Sequence, residues 1–560
     1  MKKMFRVTSL AAVLAISSGL PFSGAGIQEK ASAAQEQSEF VPYYGTGPSY
    51  VQPENIAHLF PKPNVQFKTP GFSKGKVAFS SQEEMMSFLK KLSSKNKNVH
   101  LKTIGRSLEG REIPMLLFTK DKPEQIRKDR KKPLIWIQGQ IHGNEPAAGE
   151  STLVMAKLLA EGGLGNVLDK VNVAIIPRVN PDGSYYFKRF IATNLDANRD
   201  YMKVEYPEVQ AVNRAVNDYQ PEVVVDAHEY TVNSSLLKKY GEKGSISSYD
   251  LLISSAKNLN IPEKLRKTSD NLLLPDVNKA LDKQKLTHHD YYTLDTNDAG
   301  NLVATEGSTE TRIGRNALGL KNTLTYLIET RGINIGRADF ERRVFAQAVA
   351  QSNFIKSTAE NAKAIQKVVS EARKEVINKG KKVNDNDKIV IKSENKLMPD
   401  QSLDVVDLAK AERQAITIDW EDSTEAFSTL ERERPTAYIM PPGYHDIARK
   451  LRILGVQVNK LAKPATVSVE SYKVTDNKVS TILENGHYTN QVTTTVSTKT
   501  QNFPKGSYVF QMSQANANFI ALALEPESVD SYVTFNFIPV QKGDEIPVYR
   551  YMQERKLSIR

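Results

Sequence analysis

At 560 residues the chain is too long for a single ordinary core and implies two to four domains. With 40% hydrophobic and 25% charged residues and a mean hydropathy of −0.44 it has the composition of a soluble globular protein, and zero cysteines exclude disulfide staples. Its net charge of +12 is carried without Arg/aromatic interleaving, which argues against a nucleic-acid partner and for a basic but ordinary surface; attraction to acidic wall polymers or membrane surfaces is the other reading of that excess.

Residues 1–33 have a basic start (Lys2, Lys3, Arg6), an apolar stretch from Leu10 and an Ala31-Ser32-Ala33 ending, the pattern of a removable secretory signal, with a retained anchor as the alternative. Cleavage removes four basic residues and one acidic residue and leaves a mature charge of +9. No later run approaches the ~20 apolar residues that a transmembrane helix needs. The mature chain is therefore expected to be secreted, extracellular or wall-associated, and disulfide-free secretion favours a bacterial source.

Residues 34–75, rich in Pro, Gly and Tyr, read as an irregular N-terminal arm. A helix is predicted from Ser81, with Glu83 and Glu84 in its first turn, and a hairpin over 101–118 with Gly105, Ser107 and Gly110 at its turn. From Pro133 strands and helices alternate. A strand over 134–137 ends at Gly139, and His142 and Glu145 follow on a turn before Pro146 opens an apolar-periodic helix. A strand over 171–176 leads to Asn180-Pro181-Asp182-Gly183, an amphipathic helix spans about 208–219, a strand over 222–225 leads to Asp226 and His228, and one over 323–328 leads to Glu329. Short runs buried on both faces predict an α/β fold, a mostly parallel sheet covered by helices, whose carboxyl edge places ligands. His142, Glu145, His228 and Glu329 are each placed just past a strand end.

Residues 232–315 read as a long polar insertion with few core strands, forming cleft walls. Helices are predicted over 340–376, and the charged, turn-rich 374–396 reads as a boundary. A small α/β segment over 397–463 and a β-rich region over 464–560 follow, which leaves 76–376 as the catalytic domain.

Catalytic zinc usually has three protein ligands and an open position, and His142, Glu145 and His228 supply a His-Glu-His set. Asp196 or Asp226 could hold the free nitrogen of a ligand histidine. Glu329, ending an apolar strand, is placed as the general base for amide hydrolysis. Arg189 could stabilise a developing oxyanion, and Asn198 with Arg199 could grip a carboxylate, which together suit a peptidase that selects a free C-terminus. His288-His289-Asp290 reads as an exposed loop, and His58, His100, His445 and His487 as structural or surface residues.

The ordered set His142-x-x-Glu145, Asn180-Pro181-Asp182-Gly183, Arg189, Asp196-x-Asn198-Arg199-Asp200, His228 and Glu329-x-Arg331 resembles the zinc metallocarboxypeptidases of the carboxypeptidase A type, with IGRSLEGREI over 104–113 similar to their early sheet motif. The resemblance covers residues 71–332, and the C-terminal part is similar to extensions of bacterial secreted members. It implies a mixed eight-stranded sheet, one zinc on His142, Glu145 and His228, Arg189 on the scissile carbonyl, Asn198 and Arg199 on the terminal carboxylate, Glu329 as base and Asp196 orienting His142. The substrates it implies are peptide or protein C-termini, with cell-wall stem peptides included. The family's substrate-covering tyrosine has three candidates here, Tyr291, Tyr292 and Tyr326. Two other readings stand beside it: a zinc amidase or deacylase on the same scaffold, acting on cell-wall peptides or acylated amino acids, which needs no Asn198-Arg199 clamp; and a catalytically inactive wall-associated binding protein, which would lack a ligand or the base.

Overall fold

Leu134–Gly139 is buried at every position, and so is Asn172–Ile176, as expected of strands covered on both faces. They lie inside an eight-stranded sheet of a computed structural model that describes residues 39–560. The signal segment expected over residues 1–33 lies outside the described residues. Across the sheet the strands run Val99–Arg106, Glu112–Phe118, Asn172–Ile176, Leu134–Gly139, Val223–Thr231, Leu324–Ile333, Leu251–Ser255 and His288–Asp290. The central pairs are parallel, whereas Glu112–Phe118 and Leu251–Ser255 run antiparallel to their inner neighbours, so the sheet is mixed. Helices Pro146–Ala160 and Phe340–Glu360 pack on each other and on the central strands, and Pro207–Tyr219 packs on Val99–Arg106.

The helix predicted from Ser81 spans Gln82–Lys95, with a reciprocal capping box between Ser81 and Glu84. Two strands run further than the hydropathy suggested. Val223–Thr231 and Leu324–Ile333 continue through His228 and Glu329, so these residues lie within the strands and not past their ends. Neighbouring strands hydrogen-bond the backbone there, which lets polar side chains stand on a strand still in register.

The polar stretch 232–315 is also more than cleft wall. It supplies Leu251–Ser255 and His288–Asp290 to the main sheet, and Ser245–Ser247, Thr293–Thr296 and Leu302–Thr305 to a second, five-stranded sheet. Ser254 and Ser255 are buried with their hydroxyls bonded, Ser255 to Asp270 at 2.6 Å, so local polarity does not mark the strand as exposed. His289 is no loop residue: it packs among Tyr249, Tyr292 and Trp420. The stretch 374–396 contains the end of helix Ala362–Lys379 and the start of Lys388–Asp407, a strand paired along its length with Glu412–Glu433. A six-stranded sheet follows, including the ribbon Ala465–Glu484 and His487–Phe503, with a helix, Ala517–Leu524, buried at every residue.

Candidate active site

The turn after Leu134–Gly139 is built by close approach. Gln140 takes a left-handed conformation, φ 55°, and its amide donates to the Gly143 carbonyl at 3.2 Å. A Cβ on Gly143 would lie 1.9 Å from the Gly183 carbonyl carbon, so only glycine lets the two turns meet. The Asn180 side chain accepts from Gly183 N at 2.8 Å, capping helix Pro181–Tyr186, and donates to the Ile141 carbonyl at 3.1 Å. Asp182 accepts from Ser107 Oγ at 2.6 Å, Glu109 N at 2.9 Å and Arg111 at 2.7 Å. The two motifs at 104–113 and 180–183 thus hold each other, and through Asn180 they hold the turn that carries His142.

Register brings in the opposite wall. Gly139 pairs with Ala227 and Glu329 with His228, so the His142 turn, His228 and Glu329 stand side by side on the sheet's edge. His142 Nδ1 lies 2.7 Å from Glu145 Oε1, His228 Nδ1 lies 3.0 Å from Glu145 Oε2, and the two Nδ1 atoms are 3.3 Å apart. All three side chains are buried. The outer nitrogens face carboxylates too: His142 Nε2 bonds Asp196 Oδ1 at 3.1 Å, and His228 Nε2 lies 3.3 Å from Asp226 Oδ2. Gln138 donates to Asp226 at 3.1 Å and to the Tyr201 hydroxyl at 3.0 Å. Each of the carboxylates considered from the sequence thus faces one histidine.

The electrostatics suit a cation. Burial pushes the Glu145 carboxyl up, but His142 and His228 outweigh it and bring it down to about 2. Burial lowers His228, yet Asp226 and Glu145 outweigh it and drive it well above the usual imidazole range, so the carboxylates around this ring favour positive charge there. Asp196 is held well below the carboxylate range, burial being overcome by His142, Arg189 and Arg199. A buried set of two Nδ1 atoms and one carboxylate, facing one another and rimmed by acids, has the donor chemistry of a zinc site.

His142 opens into a cleft of about 810 Å³ lined also by Arg189, Asn198, Arg199, Tyr291, Arg315 and Glu329. Arg189 donates to Asp196 Oδ2 from Nε at 3.0 Å and Nη2 at 2.9 Å, and its Nη1 lies 3.7 Å from Glu145. Asn198 Oδ1 accepts from Gly314 N at 2.8 Å, and Arg199 Nη1 donates to the Asn198 carbonyl at 3.1 Å. Burial raises the Glu329 carboxyl to about 7, with His228, His142 and Arg189 opposing and Glu145 adding to the rise. Of the three tyrosines, Tyr326 is buried against Phe354 and donates to the Ser269 carbonyl, and Tyr292, which also lines the cleft, is buried beside Trp420. Tyr291 faces the cleft beside Arg315.

One contact was not legible from local motifs. At the tip of the ribbon Ala465–Glu484/His487–Phe503, Asn485 accepts from Asp196 N at 2.7 Å and donates to Asp196 O at 3.1 Å. Asn485 and Gly486 have φ 45° and 90°, the two-residue turn that Asn-Gly favours, and that dipeptide is the sequence signal for the tip.

Sheet, ligand-type cluster and adjoining carboxylate define a metal-dependent hydrolase of α/β architecture. The family description "zinc carboxypeptidase" matches residues 85–364, half of the chain. The chain is similar to Carboxypeptidase 2 of Trichophyton rubrum, 31% identical over 520 residues, covering 90% of this chain and 94% of the relative. It is similar to Carboxypeptidase 2 of Trichophyton equinum at 32% over 487 residues, covering 86% and 88%. A solved metallo-carboxypeptidase from Burkholderia cenocepacia aligns at 19% identity and a TM-score of 0.38, over 50% of this chain and 69% of that one. The chain belongs to the zinc carboxypeptidase family. It is a metallocarboxypeptidase that hydrolyses C-terminal peptide bonds with a metal's help.

Proposed function

We propose that His142, Glu145 and His228 hold one zinc ion per chain, with Asp196 and Asp226 fixing the two imidazoles. Bound there, zinc supplies a Lewis acid for the scissile carbonyl and acidifies water. Glu329, beside His228 in register, takes the proton of the attacking water and returns it to the leaving amine. Arg189, its guanidinium anchored by Asp196, keeps Nη1 toward the ligand set and stabilises the negative charge developing on the carbonyl oxygen. Arg199 grips the substrate's terminal carboxylate, with Asn198 positioned beside it, and Tyr291 covers the bound residue. The observation that carries this reading is the convergence of His142 Nδ1, His228 Nδ1 and the Glu145 carboxylate within 3.3 Å of one another, next to a cleft that His142 and Glu329 line.

We place the reaction outside the cell, on the signal-like pattern of residues 1–33. The clamp is tested with Arg199→Ala. It is expected to raise KM for peptides with a free C-terminus about 10- to 100-fold, the loss of one charge-assisted contact, and to spare C-terminally amidated ones. Equal losses on both would contradict a carboxylate clamp.

A further inference from the structure

We propose that Arg315 makes the inner end of the cleft a receptor for an acidic side chain, so that the enzyme removes C-terminal aspartate and glutamate in preference to apolar or basic residues. The inference rests on the carboxypeptidase reading above, with Arg199 on the terminal carboxylate.

Arg315 lines the cleft yet is only 2% exposed. Nη2 donates to the Ser308 carbonyl at 2.9 Å, while Nε and Nη1 are buried without a hydrogen-bond partner among the described residues. Other buried arginines are matched. Arg342 pairs with Asp250 at 2.6 Å, Arg343 with Glu229 at 2.7 Å and Arg312 with Asp530 at 2.6 Å. Arg178 has no close carboxylate, but its three nitrogens all donate, to Gln140, Gln82 and the Ser80 carbonyl. Arg315 is the buried guanidinium with two unused nitrogens that also lines the cleft.

The guanidinium is closely flanked, and only glycine fits on one side of it. Gly307, at φ +82°, would with a Cβ press to 2.7 Å of Nη2 and 2.9 Å of Nη1. On the other side the Tyr291 ring lies 5.6 Å from the guanidinium carbon. Of the neighbouring acids, Glu306 accepts from Ser423 N at 2.9 Å and faces Lys257 at 3.7 Å, Glu310 faces Arg312 at 3.5 Å, and Glu329, which shares the cleft, forms no ion pair with Arg315. A buried cation that lines a substrate cleft with two of its donors unpartnered is completed by an anion, and an incoming carboxylate supplies it through charge-assisted hydrogen bonds. A substrate with a terminal Asp or Glu carries two carboxylates, and the cleft offers a separate guanidinium for each, Arg199 and Arg315. An uncharged side chain would leave the guanidinium desolvated and unpaired, and sites built to bond a polar group reject analogues that lack it.

The test uses the zinc-loaded full-length enzyme and six peptides identical except for the last residue, Asp, Glu, Asn, Gln, Leu or Lys, with kcat/KM as the readout. The wild type is expected to favour Asp and Glu over the other four by at least about 30-fold. Arg315→Leu should lose about 100-fold on Asp and Glu while keeping or gaining activity on Leu. Arg315→Lys, which keeps the charge, should retain part of the acidic preference, and it stands in if the leucine variant does not fold. A wild type that favours Leu or Lys overturns the proposal. So does an equal loss on all six peptides in Arg315→Leu, which would put Arg315 on the terminal carboxylate and leave the carboxypeptidase reading intact. Release of no terminal residue from any peptide would contradict that reading itself, and the proposal with it.

Discussion

Buried carboxyl groups show at the residue scale how the fold tolerates charge. Glu145 and Asp196 are ionised because imidazoles and guanidinium face them. Glu208 has no such partner: it is buried, accepts from Leu108 N at 3.1 Å and from its own backbone N–H, and burial raises it to about 7. A carboxyl raised in the fold binds a proton between its ordinary pKa and about 7 that the unfolded chain has released. Its contribution to stability therefore falls as pH rises through that window, and the deficit is complete above about 7. Glu208→Gln, which removes the charge and keeps an acceptor for Leu108 N, should stabilise the protein by about 2 kcal/mol at pH 8 and much less at pH 5. Chemical denaturation at the two pH values checks this, and a gain independent of pH would contradict it.

Among the elements, the ribbon tip has the clearest consequence. Asn485 bonds both backbone polar groups of Asp196, whose side chain holds His142 and anchors Arg189. Asn485→Ala should cost roughly two ordinary hydrogen bonds, about 1–3 kcal/mol, at the point that positions His142, the proposed metal ligand. Weaker zinc retention against a chelator and a roughly tenfold fall in kcat/KM are expected, and unchanged values for both would sink the positioning role. The sequence could not show this contact, because Asp196 and Asn485 meet only through tertiary packing. What was legible was local: a run as apolar as Leu134–Gly139, a Pro at the start of the next helix, and ligand-type residues at fixed short spacing. Leu251–Ser255 escaped because its serines satisfy their hydroxyls inside the protein. Lys388–Asp407 escaped because a long ribbon exposed along much of its length carries charged residues that read as a linker. Arg315 escaped because nothing in its neighbours' identities marks a helix arginine as buried and unpaired.

Taken as a whole, residues 40–560 form one compact unit, and the C-terminal sheet is tied into it by buried polar contacts. Lys321 donates to the Leu454 carbonyl at 2.8 Å beneath Phe519, and Lys450 donates to the Lys203 carbonyl at 2.7 Å. Phe519 and Leu522 belong to the same apolar cluster as Val224 and Leu324. A chain ending after Gly380 would expose that cluster and take the Leu454 acceptor from Lys321, so it is expected to aggregate and not to fold as an active fragment, as solubility and zinc content would report. The most direct test of the central claim is digestion of a mixed peptide library by the wild type and by Glu329→Gln, read by mass spectrometry alongside the zinc content of each. The wild type should shorten peptides one residue at a time from the C-terminus and stop when zinc is chelated. Glu329→Gln should still bind about one zinc per chain yet cleave at least about 10³-fold more slowly, the scale of a lost general base. Digestion by Glu329→Gln at the wild-type rate would contradict the account.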